Sequence, residues 1–219
     1  MTAHLERKIS APRAMLEELR DRAAAHPVSV RAAAWDYLAG LGARNDRDAL
    51  AEMFAAGAAP QGPDGKMEGL IVGKLFGIPE AHLANLLMRI EPTWRGKTFD
   101  LEGGVGWNRL APLARFVMPI ITAGYLGLRR VGAEMEGFDF AHALAASWIE
   151  PDKTVRALDY GVPEYRNPSI RTFPIAWTRD EVVEVVPGVY LGRALLRMYD
   201  DEIRLIAYFA LREPIGSHL

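Results

Sequence analysis

Hydrophobic positions along this chain change their spacing once, near residue 60. From residue 10 to about 58 they recur three and four apart, the period of a helix with one buried face. "SAPRAMLEELRDRAAA" has Ser10 as N-cap, Pro12 in the first turn, and Met15, Leu16 and Leu19 on one side. "SVRAAAWDYLAGLGA", capped by Ser29, predicts a second helix. "NDRDALAEMFAAGAA" predicts a third, with Asn45 or Asp46 as cap and Ala49, Leu50, Met53 and Phe54 at helical spacing. "PQGPDGK", 60–66, is a turn-rich break. It divides the chain into a helical region, 1–59, and a second region, 60–219.

Beyond the break the pattern alternates. "KMEGLIVGKLFG", 66–77, and "TWRGKTFDLE", 93–102, predict strands, and "GGVGWNRL" follows a glycine turn. "PEAHLANLLMRI", 79–90, predicts a short amphipathic helix. "GFDFAHALAASWIE", 137–150, is ambiguous: Phe138 and Phe140 alternate, while the alanines favour helix. "KTVRALDYG", 153–161, predicts a strand. A strand to Val186, a Pro-Gly turn, a strand from Val189, the turn "YDDE" and a strand from Ile203 then make an antiparallel meander. Nothing in these strands blunts an edge, so barrel closure or helical cover is the expected fate of the edges. The fold class expected is α+β: an antiparallel β-barrel-like sheet with an N-terminal helical region.

One stretch departs from both periods. "LAPLARFVMPIITAGYLGL", 110–128, carries a single charge, Arg115. Pro112, Pro119, Gly124 and Gly127 argue against a membrane span, since a charge and a helix-breaking proline are both costly in hydrocarbon. The expectation is a hydrophobic helical insert over 110–130, split into two pieces at Pro119. It would lie over a cavity mouth or touch a membrane surface; a kinked core helix is the alternative.

Composition narrows the functions. Half of the residues are hydrophobic, a quarter are charged, and the net charge is −2, which offers no basic field for nucleic acid. There is no cysteine, so disulfides, thiolate metal sites and thiol nucleophiles are excluded. The amino-terminal residues alternate charge with apolar side chains and do not read as a secretory signal. A cytoplasmic location is the expectation. No P-loop, dinucleotide fingerprint, zinc-protease motif or nucleophile elbow occurs. The five histidines do not pair at ligand spacing, so no metal site is expected, and no cofactor is named.

The remaining chemistry is scattered. Asp100 with Glu102, and Asp159 with Glu164, are carboxylate pairs that could do acid–base work if desolvated. Gly73-Lys74, Gly96-Lys97 and Gly192-Arg193 repeat a glycine followed by a cation. They are either bends with a solvated charge or inward cations that need a counter-charge. His142 is the one histidine in an apolar context. Trp and Tyr residues after position 90 suit the wall of a mainly apolar pocket, and the polar, aromatic loop 157–177 could rim its mouth. The expected ligand-binding residues are Trp94, Lys97, Trp107, His142, Tyr160, Tyr190 and Arg193.

"EPTWRGKTFD", 91–100, resembles the short strand motif with W-x-G that recurs in calycin-like barrels: lipocalins, fatty-acid-binding proteins and nitrobindin-like barrels. Trp94 and Gly96 match it; Pro92 stands where glycine is usual. The terminal hairpin, 189–211, resembles the closing strands of such barrels. The three helices and the insert have no counterpart in the simplest members. The resemblance implies a ligand-holding barrel and transfers no ligand. Three functions follow: carriage of a small hydrophobic molecule, with an acidic, lipid-like one as a version of it; a metal-independent enzyme acting on such a molecule; or an interaction protein that uses 110–128. Transient membrane-surface contact and a homodimer are the partner readings left open.

Overall fold

The computed structural model describes residues 10–77, 93–122, 124–170 and 174–214. The helix expected over 79–90 lies outside them. Three helices come first: α1 (Ala11–Ala23), α2 (Pro27–Arg44) and α3 (Arg47–Ala56). α1 buries Leu16 and Leu19, while Arg13–Glu17 and Arg22–Glu18 pair along its wet side. α2 buries Val30, Ala34, Leu38 and Leu41 along one stripe. It begins at Pro27 rather than under Ser29, because proline in the first turn spares a backbone donor that has no partner there. Asn45 ends α2 in the left-handed conformation, and Asp46 caps α3 by accepting from the Ala49 N–H.

The strands are β1 (Gly65–Val72), β2 (Trp94–Asp100), β3 (Val105–Leu110), β4 (Arg129–Val131), β5 (Glu134–Ala146), β6 (Thr154–Asp159), β7 (Thr178–Val186), β8 (Val189–Arg197) and β9 (Ile203–Arg212). The ambiguous stretch 137–150 is therefore strand as far as Ala146. Every pairing among the described residues is antiparallel. The ring runs β1–β2–β3–β5–β6–β7–β8–β9 and closes where Glu68–Val72 pair with Tyr208–Arg212. It is a closed eight-stranded barrel. The short β4 is an extra hairpin arm on β5.

Two cores result. The first fills the barrel: Met67, Phe99, Phe140, Leu158, Val182, Phe209 and Leu211 point inward. The second lies between the helices and the outer wall, where Leu38, Leu50, Met53 and Phe54 meet Val183, Leu191 and Ala210. Polar clamps hold the helices down. Arg20 donates to the carbonyls of Val185, Ala56 and Glu184 at 2.9, 3.1 and 3.2 Å. Lys153 donates to those of Ala55 and Gly57 at the end of α3.

Segment 110–128 is a correction to expectation. One helix, α4 (Ala114–Ile121), runs through Pro119 instead of breaking there. Ala114 and Met118 are buried, whereas Phe116, Ile120 and Leu126 are 60%, 81% and 92% exposed. The segment is neither a core helix nor a span. No described helix is long and apolar enough to cross a membrane.

Phe54 is fully buried beneath the Arg193 guanidinium, 3.9 Å from its ring centre. Phe54→Ala is expected to cost about 3–5 kcal/mol. Equilibrium urea unfolding checks this, with helix and sheet signals lost in one transition.

Candidate functional site

Inside the barrel the strand pattern places one charged pair. In β2 the register shifts between Trp94 and Gly96, and Gly96 takes φ +132°. A Cβ there would run into the Met67 carbonyl oxygen, so glycine is required where the two strands touch. The bend turns Lys97 inward. Its Nζ lies 2.9 Å from Asp180 Oδ2 on β7, 2.9 Å from Asn108 Oδ1 on β3, and 2.5 Å from the hydroxyl of Tyr160, which follows β6. The Tyr160 hydroxyl donates to Asp180 Oδ2 at 2.9 Å, and the Trp94 indole N–H donates to Asn108 Oδ1 at 2.9 Å. Four aromatic rings surround the ammonium, those of Phe209, Phe140, Tyr160 and Trp94, with centres 5.1–5.6 Å away.

Burial pulls the Lys97 pKa down, and Asp180 opposes it. Three acceptors, one of them a carboxylate, mark the group as ammonium. Burial, with the Asp180 charge beside it, pushes the Tyr160 phenol well above its ordinary range, so it remains a donor.

The cluster is tied to the covering segment through a bulge. β3 and β5 slip register between Gly106 and Asn108, and Phe138 takes φ +50°. Its N–H donates to the Tyr125 hydroxyl at 2.9 Å, while its carbonyl accepts from Asn108 Nδ2 at 3.0 Å. The Tyr125 ring stacks on Phe138 with centres 4.7 Å apart. Tyr125 follows α4, so cover and cluster share one hydrogen-bonded chain.

The structure brings Trp94, Lys97 and Tyr160 together. His142 and Tyr190 face the barrel's other end. His142 Nε2 lies 3.2 Å from the carbonyls of Asp100 and Val105 and so carries the proton; Nδ1 accepts from Arg156 at 3.2 Å. Arg156 also donates to the Gly62 carbonyl at 2.8 Å, anchoring the 60–64 loop across that end. Tyr190 is buried under the same loop, and burial pushes its phenol pKa up.

Two residues stand on the outer wall, a correction to their expected place in a pocket. Trp107 pairs with Thr98, on the face opposite Lys97, and the Arg129 guanidinium lies 5.0 Å above its ring. Arg193 faces α3 and binds Glu181, Glu150 and Ser147. Lys74 is exposed. The carboxylate pairs expected for acid–base work are exposed too, with Glu102 in the turn after β2. Asp180 and Asn108 were not singled out by sequence. The available signal was the parity of Asp180 with the buried Val182 on a strand.

After β6, Asn167 reaches the α4 end of the barrel, where its Nδ2 donates to the carbonyls of Tyr160 and Asp139. A cleft of about 310 Å³ opens on the outer wall, lined by Trp148, Asp159, Trp177, Arg197 and Tyr199 among others. Its charged groups are exposed. Among the described residues no group of three or more His, Asp and Glu could hold a metal ion. No family model, curated protein or solved structure matches the chain. The likeness to calycin-like barrels therefore stands on the closed eight-stranded architecture alone.

Burial, and then the Arg156 charge, hold the His142 pKa below the ordinary histidine value. The unfolded chain takes up its proton near pH 6.5 while folded His142 stays neutral. Its contribution is thus complete above about pH 6.5 and lost as pH falls through the lower folded value. His142→Gln is expected to flatten the decline in urea midpoint between about pH 7 and pH 5 relative to wild type.

Proposed function

We propose that the barrel binds a small hydrophobic molecule between the Lys97–Asp180 cluster and the α4 segment. The observation that carries this is a compact polar cluster at the centre of an aromatic, apolar interior. Ligand sites combine such walls with a few fixed polar groups, and an eight-stranded barrel has room for one small ligand. Ile71, Trp94, Ile121, Leu128 and Ile175 support the reading. They pack against the interior core yet remain partly exposed at the α4 end. Carriage, rather than turnover, fits a site whose ammonium and phenol are both held by fixed partners.

The neutral dye Nile red tests this. Fluorescence titration is expected to saturate near about one dye per chain. Ile71→Trp, which fills the mouth, is expected to weaken binding about tenfold or more with the circular dichroism unchanged. Absence of saturable binding, or equal binding by the folded variant, would reject the proposal.

The exposed face of α4 favours one addition. Leu113, Phe116, Ile120 and Leu126 stand in solvent beside the exposed Arg115 and Arg130. An apolar face with cations alongside suits the surface of an anionic bilayer during ligand exchange. Co-sedimentation with phosphatidylglycerol-containing vesicles is expected for wild type and lost in Phe116→Asp/Ile120→Asp. If wild type stays in the supernatant, this addition fails.

A further inference from the structure

Hydrogen-bond capacity within the cluster distinguishes among head groups. Lys97 has three N–H donors and three acceptors in range, Asp180 Oδ2, Asn108 Oδ1 and the Tyr160 oxygen. Asn108 Nδ2 donates to the Phe138 carbonyl at 3.0 Å and to the Tyr160 oxygen at 3.2 Å. The Trp94 N–H is taken by Asn108 Oδ1, and the Tyr160 O–H by Asp180 Oδ2. The amide cannot be turned over, because Trp94 and Lys97 would then face an NH₂ group. Every donor of the cluster is used.

The acceptors are used as well, with one exception. Asn108 Oδ1 and the Tyr160 oxygen each receive two hydrogen bonds, and Asp180 Oδ2 receives the Tyr160 hydroxyl and pairs with the Lys97 ammonium. Asp180 Oδ1 receives none from a described residue, although the Asp180 side chain is only 6% exposed. Oδ1 is not among the fully enclosed polar atoms left without a partner, so a donor from outside the cluster can reach it. Lys97 and Asp180 also cancel in charge. Among the described residues the other buried interior cation, Arg156, is committed to the 61–62 loop and His142 at the far end.

Resting on the ligand-binding reading above, we infer that the molecule held is a neutral hydrogen-bond donor, an apolar alcohol, whose hydroxyl donates to Asp180 Oδ1. An acidic head group, the expectation raised by an inward lysine, finds no donor left in the cluster and meets Asp180 as a like charge. An ether or ester of the same length brings only acceptors and leaves Oδ1 unsatisfied. The alcohol alone completes the cluster without adding charge to it.

Displacement of Nile red tests the inference with three twelve-carbon probes: 1-dodecanol, dodecanoate at pH 8, and dodecyl methyl ether. Dodecanol is expected to displace the dye at about tenfold lower concentration than either of the others, the discrimination of one buried hydrogen bond. Asp180→Asn removes the carboxylate and leaves the Lys97 charge uncompensated. In that variant dodecanoate is expected to gain about tenfold on dodecanol. Equal or tighter binding of dodecanoate or the ether by wild type overturns the inference, as does an unchanged ratio in folded Asp180→Asn. If that variant does not fold, the wild-type series decides alone. Nile red binding without preference among the probes removes this inference only, whereas failure to bind Nile red removes the ligand-binding reading beneath it.

Discussion

A lysine ammonium can stay inside an apolar barrel only where a carboxylate and neutral dipoles meet it. Lys97 is such a group, and its partners come from β3, β7 and the residue after β6. The cluster therefore gathers segments from far around the ring. A slip of one residue in any strand would send its polar group to the outer wall and leave a buried charge unpartnered. Breaking such a pair typically costs about 3–5 kcal/mol, so register is enforced here more strictly than by hydrophobic contact alone. The aromatic rings around Lys97 add a favourable face to the charge without adding a titratable group.

The Phe138 bulge extends this order to the barrel mouth. A non-glycine residue at positive φ is strained, and such strain persists only where its surroundings fix it. Here both freed backbone groups are satisfied, one by Asn108 within the cluster and one by Tyr125 beyond α4. The position of the covering segment and the geometry of the polar centre are thus two ends of one hydrogen-bonded path.

Much of this architecture is legible in the sequence. The terminal meander follows from alternation and two turns, and the helices from apolar spacing and caps. The side of each strand that faces inward is less legible, for a physical reason. β7, β8 and β9 are covered by helices outside and packed inside, so both faces are apolar and parity does not say which is the lumen. That is why Arg193 and Lys97 look alike as glycine-cation pairs yet stand on opposite sides of the wall. In β5, alanines obscured the strand period at His142 to Ala146, where pairing with β6 overrides their helical preference. Pro119 did not end α4. The carbonyl it leaves unpartnered is that of Arg115, a residue at the solvent face, where water can serve it. Asp180 is not legible as an interior group because an acid in a strand is ordinarily a surface residue.

The ring closes between its first strand and its last, and the three helices that precede β1 pack on β7, β8 and β9 as well as on β1. A chain emerging from the ribosome amino end first therefore holds the open edge of β1 without its partner until β9 has been made, and its helices without most of their outer-wall contacts until β7, β8 and β9 follow. Folding of this molecule is a late, collective event rather than a progressive one. Until then its exposed apolar strands depend on protection from one another, and the time spent waiting is set by synthesis rather than by the speed of any local step.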